Sequence, residues 1–498
     1  MSNLIYNDDE PIRKIDSQDE EEADLDLDGK TEAKIINKQE APLEETPFKV
    51  LLELEGVGTD EGRLGVDLVT ILDRDLLDIS GGMSGTKLAK LKLAMQFLVQ
   101  KLSRADRLSV VTFNSNAHKL CPLRQITEDS KTEIANQVNE LVAQYTTNTE
   151  AGLKMALKIL NDRTHTKRRG VAIMLMSDGM EDKSSHAASV PVGHVPVYTF
   201  GFGTDCDPKV LSDISRQSNG GMFAAVPELD NLSVAFSTSL AGLLNVNAGN
   251  YAQMKGTTVV DPVAVTFGTL YNRETRKVLV KLTLPKVDKR LGVNIYRVVY
   301  KYRVAGQDAF NSEERTVNIT LKAIANEAER QEVLDEEKRI GTASSIKAAR
   351  LLADAKKLEM AREKLVDAKA SLSEIDAIHT AQLNQLLLFM VSQETYDKQG
   401  KAFALALEAS HESQRATLSL EMLLFIKQAG LFNQDPINYQ VPTAEEDKVT
   451  IASVAPTREP PKQEDWRYAR FKQVIDLTHS IADKLREHDP RAAFSGKK

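Results

Sequence analysis

The chain is poor in the residues that would announce chemistry. It has two cysteines, Cys121 and Cys206, in 498 residues. Such a pair offers neither a zinc-ligand set nor a redox spacing, and it fits a reducing compartment. No stretch approaches the ~20 consecutive apolar residues needed to span a bilayer, so no membrane insertion is expected. The N-terminus MSNLIYNDDEPIRK is polar and acidic where a secretory signal needs a basic start and an apolar run. A formal net charge of −8 lacks the cationic excess of a phosphate-tracking surface, which argues against nucleic acid. The expectation is a soluble, cytoplasmic protein.

Hydrophobic residues make up 42% and charged residues 27% of the chain, so most of it should fold, and its length suggests several domains. Residues 1–46 are rich in Asp and Glu and nearly free of aromatics, which predicts an acidic disordered tail. PFKVLLELEG, within 47–63, reads as a β segment. Between residues 64 and 246, apolar runs alternate with helical patterns. VDLVTIL, DRLSVVTF, GVAIMLMSD, VPVYTFGF and GMFAAV predict strands covered on both faces. The intervening segments, such as KLAKLKLAMQFLVQKL, carry apolar residues at helical spacing. Repeated βα units predict a doubly wound, mostly parallel Rossmann-like α/β sheet, whose ligand crevice lies at the carboxyl ends of its strands. Residues 247–324 alternate apolar and polar with no helical pattern, which predicts a β-sandwich that the early β segment could join. Residues 325–430 predict an α-helical domain, and 431–498 a linker with a terminal helix near 464–486.

Oxygen-bearing side chains gather at three predicted strand ends: Asp78 and Ser80 in DISGGMSG, Thr147 in TTNT, and Asp178 in SDG. Carboxylates and hydroxyls are hard ligands suited to Mg²⁺, Mn²⁺ or Ca²⁺. Other readings are weaker. GGMSGTK misplaces the lysine of a phosphate loop, and Gly201-Phe202-Gly203 lacks the third glycine of a dinucleotide loop. Ser177 lacks the nucleophile elbow of hydrolases, and the eight histidines show no paired spacing.

These segments resemble the von Willebrand A family, through VDLVTILD, DISGGMSGTKL, DRLSVVTF, TTNTEAGL, LMSDG and VPVYTFGFGTD. The resemblance implies a metal-ion-dependent adhesion site of the form Asp-x-Ser-x-Ser, Thr and Asp-Gly, supplied by Asp78, Ser80, Thr147 and Asp178. The cation would bind an acidic residue of a protein partner, without turnover. Two departures stand out. Gly82 replaces the second serine, and the strand already ends in Asp73, five residues before Asp78. Asp78 keeps the Asp-x-Ser spacing; Asp73 is the alternative first carboxylate.

A narrower resemblance covers nearly all of the folded chain. The order of β segment, A domain, sandwich and helical tail is similar to plant wavy-growth-type RING/von Willebrand A ubiquitin ligases. PFKVLLELEG, LDNLSVAFSTSLAGLL, GTLYNRETRKVLVKLTLP and SQETYDKQGKAFALALEASHESQRAT carry it. A RING holds two zincs on eight Cys/His ligands, and two cysteines cannot supply one. The expected role is a non-enzymatic scaffold; the alternative is a RING-less or substrate-recruiting member of a ubiquitin system, partnered by a RING-containing relative.

Overall fold

The computed structural model describes residues 10, 30–57, 65–74, 84–141, 148–166, 169–177, 186–202, 207–218, 220–226, 239, 250–257, 262–270, 274–302, 311–373 and 376–414. The chain divides into residues 1–418 and 419–498, and every described residue lies in the first unit.

Three strands come first: β1 (Lys30–Asn37), β2 (Glu40–Pro42) and β3 (Thr46–Val57). They correct the expectation of a disordered tail through residue 46. The acidic run ends near Asp28, and beyond it Ile35 and Ile36 lie opposite Leu52 and Leu51 as β1 pairs antiparallel with β3. A segment too polar to fold alone gains a ladder and a covered face from its neighbour.

The chain then builds a six-stranded sheet from β4 (Gly65–Asp73), β5 (Arg107–Phe113), β6 (Ala117–Gln125), β7 (Arg169–Ser177), β8 (Val197–Phe202) and β9 (Met222–Val226). The spatial order is β6-β5-β4-β7-β8-β9, with β6 antiparallel to β5 and the other pairs parallel. Every residue of β4, β5 and β8 is buried, as strands covered by helices on both faces must be. Helices α1 (Ser84–Lys101), α2 (Glu128–Asn139), α3 (Thr149–Asn161) and α4 (Pro208–Gln217) supply that cover. Strand β6 was not among the expected strands. AHKLCPLRQ carries Pro122 and four polar residues, and it survives as an antiparallel edge, where a missing N–H costs little.

The next strands are β10 (Asn250–Thr257), β11 (Pro262–Leu270), β12 (Thr275–Leu284), β13 (Leu291–Tyr302) and β14 (Asn311–Lys322). They form two sheets with the first three strands, β1-β3-β12 and β11-β10-β13-β14-β2. β3 pairs with β12 from Thr46–Leu284 to Glu55–Thr275, so the chain leaves this pair for the six-stranded sheet and returns to it. One face of β3, with Phe48, Val50, Leu52 and Leu54, shares a core with Tyr296, Val298 and Tyr300 of β13 and Val317 and Ile319 of β14. Its other face sets Leu51 against Ile36 and Val333. Cover on both faces explains why PFKVLLELEG is nearly a continuous apolar run.

Val333 opens the helical region: α5 (Gln331–Asp354), α6 (Leu358–Ala370), α7 (Ala377–Phe389) and α8 (Lys401–Ser413), the last entered through a π turn at Tyr396–Gly400. The α8 helix is shared. Leu407 and Ala404 pack with α5–α7, while Leu405, Ala406 and Ala409 join the core of the six-stranded sheet. Between these stripes Glu408, 2% exposed, bonds Arg350 of α5 and Arg216 of α4. Removing one member of such a buried pair costs about 3–5 kcal/mol, because the partner charge stays behind.

Candidate functional site

The sheet's strand order places a reversal between β4 and β7. From β4 the chain proceeds to β5 and β6 on one side, and from β7 to β8 and β9 on the other. At such a switch point the loops leave in opposite directions and open a crevice beyond the carboxyl ends. Asp73 is the last residue of β4, 2% exposed, and its Oδ2 accepts the Ser177 hydroxyl at 2.6 Å from the last residue of β7. The chain then turns away, with the Arg74 N–H donating to the Phe113 carbonyl at the end of β5 (2.9 Å).

The α3 helix brings a third element to this end. Asn148 caps it, its side chain accepting from the Ala151 N–H (3.0 Å). The Asn148 N–H and Nδ2 donate to the carbonyls of Asn114 and Ser115, just past β5. Gly152 explains why α3 sits so close. A Cβ there would lie 2.9 Å from Ile71 Cγ2 and 3.1 Å from Phe113 Cδ1, so a glycine lets the helix rest on β4 and β5. The first turn of α3 holds Thr149, 0% exposed, whose Oγ1 has no hydrogen-bond partner among the described residues. A buried hydroxyl without a partner is costly, so the site retains unused oxygen-donor capacity.

Asp78, Ser80, Gly82, Thr147 and Asp178 lie outside the described residues. Their chain neighbours are placed: Asn148 follows Thr147 and Ser177 precedes Asp178, both at the carboxyl end of the sheet. Among the described residues no group of three or more His, Cys, Asp or Glu side chains is arranged to hold a metal. Among the described residues the site offers oxygen donors, carboxylate at Asp73 and hydroxyl at Ser177 and Thr149, a type that suits a hard divalent cation.

Sequence reasoning missed a second buried carboxylate on the same strand. Asp67, 0% exposed, accepts Arg107 Nε and Nη2 at 2.8 and 2.6 Å, Arg163 Nη1 at 2.5 Å and Arg169 Nε at 2.5 Å. Burial alone would raise its pKa, but these guanidinium groups win and hold it below the usual carboxylate range. Beside it, Asp106 accepts the Val66 and Ser103 N–H groups. The signal was available as an acidic residue inside an apolar strand, since a buried charge must have a partner. The partners, 40 to 102 positions away in sequence, were not.

Cys121 of β6 is buried, and burial pushes its thiol up to about 12, leaving it protonated and unreactive near neutrality. No helix among the described residues is long and apolar enough to cross a membrane.

Residues 76–238 match the von Willebrand factor type A domain. The match contains Asp78, Ser80, Thr147 and Asp178, while Asp73 lies before it. The chain is 29% identical over 245 residues to the Arabidopsis thaliana "E3 ubiquitin-protein ligase WAV3", covering 46% of this chain and 32% of that protein. It is 24% identical over 251 residues to "E3 ubiquitin-protein ligase WAVH1" of the same plant, covering 48% and 34%. The aligned stretch thus spans about a third of these relatives. Among solved structures, a von Willebrand factor type A protein from Catenulispora acidiphila superposes with a TM-score of 0.59 at 16% identity, over 76% of this chain and 96% of that one. That likeness concerns fold, and it reaches beyond the A domain into the flanking sheets and helices. The strand order, the crevice and these likenesses converge: this chain carries a von Willebrand factor type A domain, and its relatives include the wavy-growth-type E3 ubiquitin ligases of Arabidopsis.

Proposed function

We propose that the chain is a non-enzymatic interaction scaffold whose A domain holds an acidic side chain of a protein partner through a divalent cation. The observation that carries this reading is the Asp73–Ser177 hydrogen bond at the β4/β7 switch point, one residue before Asp178. The buried Thr149 hydroxyl and the carboxylate and hydroxyl oxygens among the described residues support it. The residues that would hold the cation are Asp178, Thr147, Ser80 and a first carboxylate. A bound Mg²⁺, with Mn²⁺ or Ca²⁺ as substitutes, would present an open position to the partner's carboxylate. The protein's own part is to orient ligands: Ser177 fixes the Asp73 carboxyl, and Asn148 anchors the turn that follows Thr147.

Two observations bear on that first carboxylate. The family match includes Asp78, whereas β4 ends at Asp73, buried at the switch point. We assign the inner carboxylate to Asp73, with Asp78 and Ser80 following it in sequence. Isothermal titration of the full chain with Mg²⁺ and Mn²⁺ tests the assignment. Asp73→Asn and Asp178→Ala should each abolish binding, and Asp78→Asn should weaken it. Full binding by Asp73→Asn with none by Asp78→Asn would reverse the roles.

The names of the relatives favour one further reading, a place in ubiquitin transfer as a substrate-recruiting subunit. Purified chain mixed with a purified RING-bearing relative should co-elute in size exclusion; separate elution at micromolar concentrations would remove this reading and leave the first intact.

A further inference from the structure

The α3 helix lies along β4 from end to end. Just past its C-terminus, Arg163 Nη1 bonds Asp67 near the start of β4. One turn into the helix, a Cβ on Gly152 would meet Ile71 Cγ2, two residues before the end of that strand. The lengths agree. Thr149 to Arg163 spans about 21 Å at the helical rise, and Asp67 to Asp73 about 20 Å at the rise of an extended strand. The helix therefore runs antiparallel to the strand, and its first turn rests over Asp73.

Side-chain direction follows from the two periods. Asp73 lies two residues beyond Ile71, so both side chains leave the same face of the sheet, the face that α3 covers. Thr149 lies three residues before Gly152, so it belongs to the helix face turned toward β4. A buried carboxylate and a buried hydroxyl are thus set opposite each other. Asp73 Oδ2 takes the Ser177 hydroxyl, whereas Thr149 Oγ1 has no hydrogen-bond partner among the described residues. Nor does the helix need that hydroxyl, because Asn148 already caps it through the Ala151 N–H. A buried hydroxyl left with a hydrogen to give costs folding free energy, so its presence here calls for an acceptor that arrives from outside.

We propose that Thr149 is a positioning residue of the cation site: its hydroxyl donates to a water that the ion carries in, on the Asp73 side. The inference rests on the cation-binding reading above and adds a residue to it. Mg²⁺ dehydrates reluctantly and keeps several waters when bound, so its shell supplies the acceptor that the bare protein lacks. A water held by the Thr149 hydroxyl and the Asp73 carboxylate has two fixed partners, and it sets the ion's place against the sheet.

Thr149→Val and Thr149→Ser in the full chain test this, with Mn²⁺ affinity by titration calorimetry and the thermal midpoint in EDTA as separate readouts. Thr149→Val keeps the shape and deletes the hydroxyl. It should weaken Mn²⁺ binding about ten-fold or more, the scale for an outer contact of a metal site. Without metal it should raise the midpoint by about 2–4 °C, since the unsatisfied group is gone. Thr149→Ser keeps the hydroxyl and should hold the wild-type affinity. A merely structural role would not weaken binding while raising the metal-free midpoint. Wild-type Mn²⁺ affinity in Thr149→Val would overturn the proposal and leave the cation reading standing. A midpoint that falls in EDTA would overturn it too, by showing that the hydroxyl already has a partner. No Mn²⁺ binding by the wild type would remove the cation reading and this inference together.

Discussion

Two aspartates on one strand, both within 2% of full burial, stand in opposite surroundings. Asp67, near the start of β4, is surrounded by three arginines that hold it ionised. The protein supplies every counter-charge there, and the result is a staple joining β4, β5, β7 and the segment after α3. Asp73, at the end of the same strand, lies against the Ser177 hydroxyl, with the buried Thr149 hydroxyl and Asp178 nearby in fold or sequence. Oxygen donors around a carboxylate invite a cation from solution; guanidinium groups around one make a cation redundant. The neighbours of a buried acid therefore say more about its use than its burial does.

The contrast can be broken from the structural end first. Asp67→Ala leaves three guanidinium groups at the base of the sheet and should cost about 3–5 kcal/mol in urea denaturation, the scale for removing one partner of a buried ionic cluster. A loss under about 1 kcal/mol would mean that solvent reaches the arginines and that the staple is weak.

Acid separates the A domain from the helical region. His411 of α8 lies beside His379 and Gln382, and its backbone carbonyl accepts a hydrogen bond from Arg339. Burial, then the neighbouring His379 and Arg339, push it down to about 3 from 6.5. A base whose folded pKa is lowered binds protons more readily when unfolded. Its contribution is thus full above pH 6.5 and is lost as the pH falls toward about 3. Asp67 behaves as a lowered acid: its contribution is full above its unfolded value of 3.8 and is lost only as the pH falls below that. Between pH 6.5 and 4 the stability lost should therefore come from the helical side. In wild type, denaturation midpoints should fall across this window, and His411→Gln should flatten the slope. An equal slope in the variant would assign the loss elsewhere.

Smaller effects probe the other end of β4. Gly152→Ala forces α3 away from Ile71 and Phe113 and should cost about 1–3 kcal/mol, the range for overpacking, while weakening Mg²⁺ binding by displacing Thr147 and Thr149. The same loss of stability with unaltered Mg²⁺ affinity would detach α3 from the cation site. Asn148→Ala removes a helix cap and should cost about 1 kcal/mol by the same denaturation assay, with a smaller effect on metal.

Much of this arrangement was legible in the sequence. The apolar runs of β4, β5, β7 and β8 are long because both faces are covered, and the alternation of βα units fixes where a crevice must open. Three features escaped. The β6 segment looks like a loop because an antiparallel edge tolerates Pro122 and charge. β1 was hidden by its acidic neighbours, since its strand character comes from pairing with β3. The choice between Asp73 and Asp78 stays open from sequence because Asp-x-Ser spacing is a local pattern, whereas the end of a strand is set by its partners on both sides. Pairing across β5 and β7 carries β4 to Asp73 and Leu72 respectively.

The central claim is that Asp73, unlike Asp67, serves a cation. Titration of Mn²⁺ into the full-length wild type, Asp73→Asn and Arg163→Ala, the last perturbing the base of the same strand, tests it most directly. One bound ion in wild type and in Arg163→Ala, with none in a folded Asp73→Asn, is the predicted result. Undiminished binding by Asp73→Asn would contradict it.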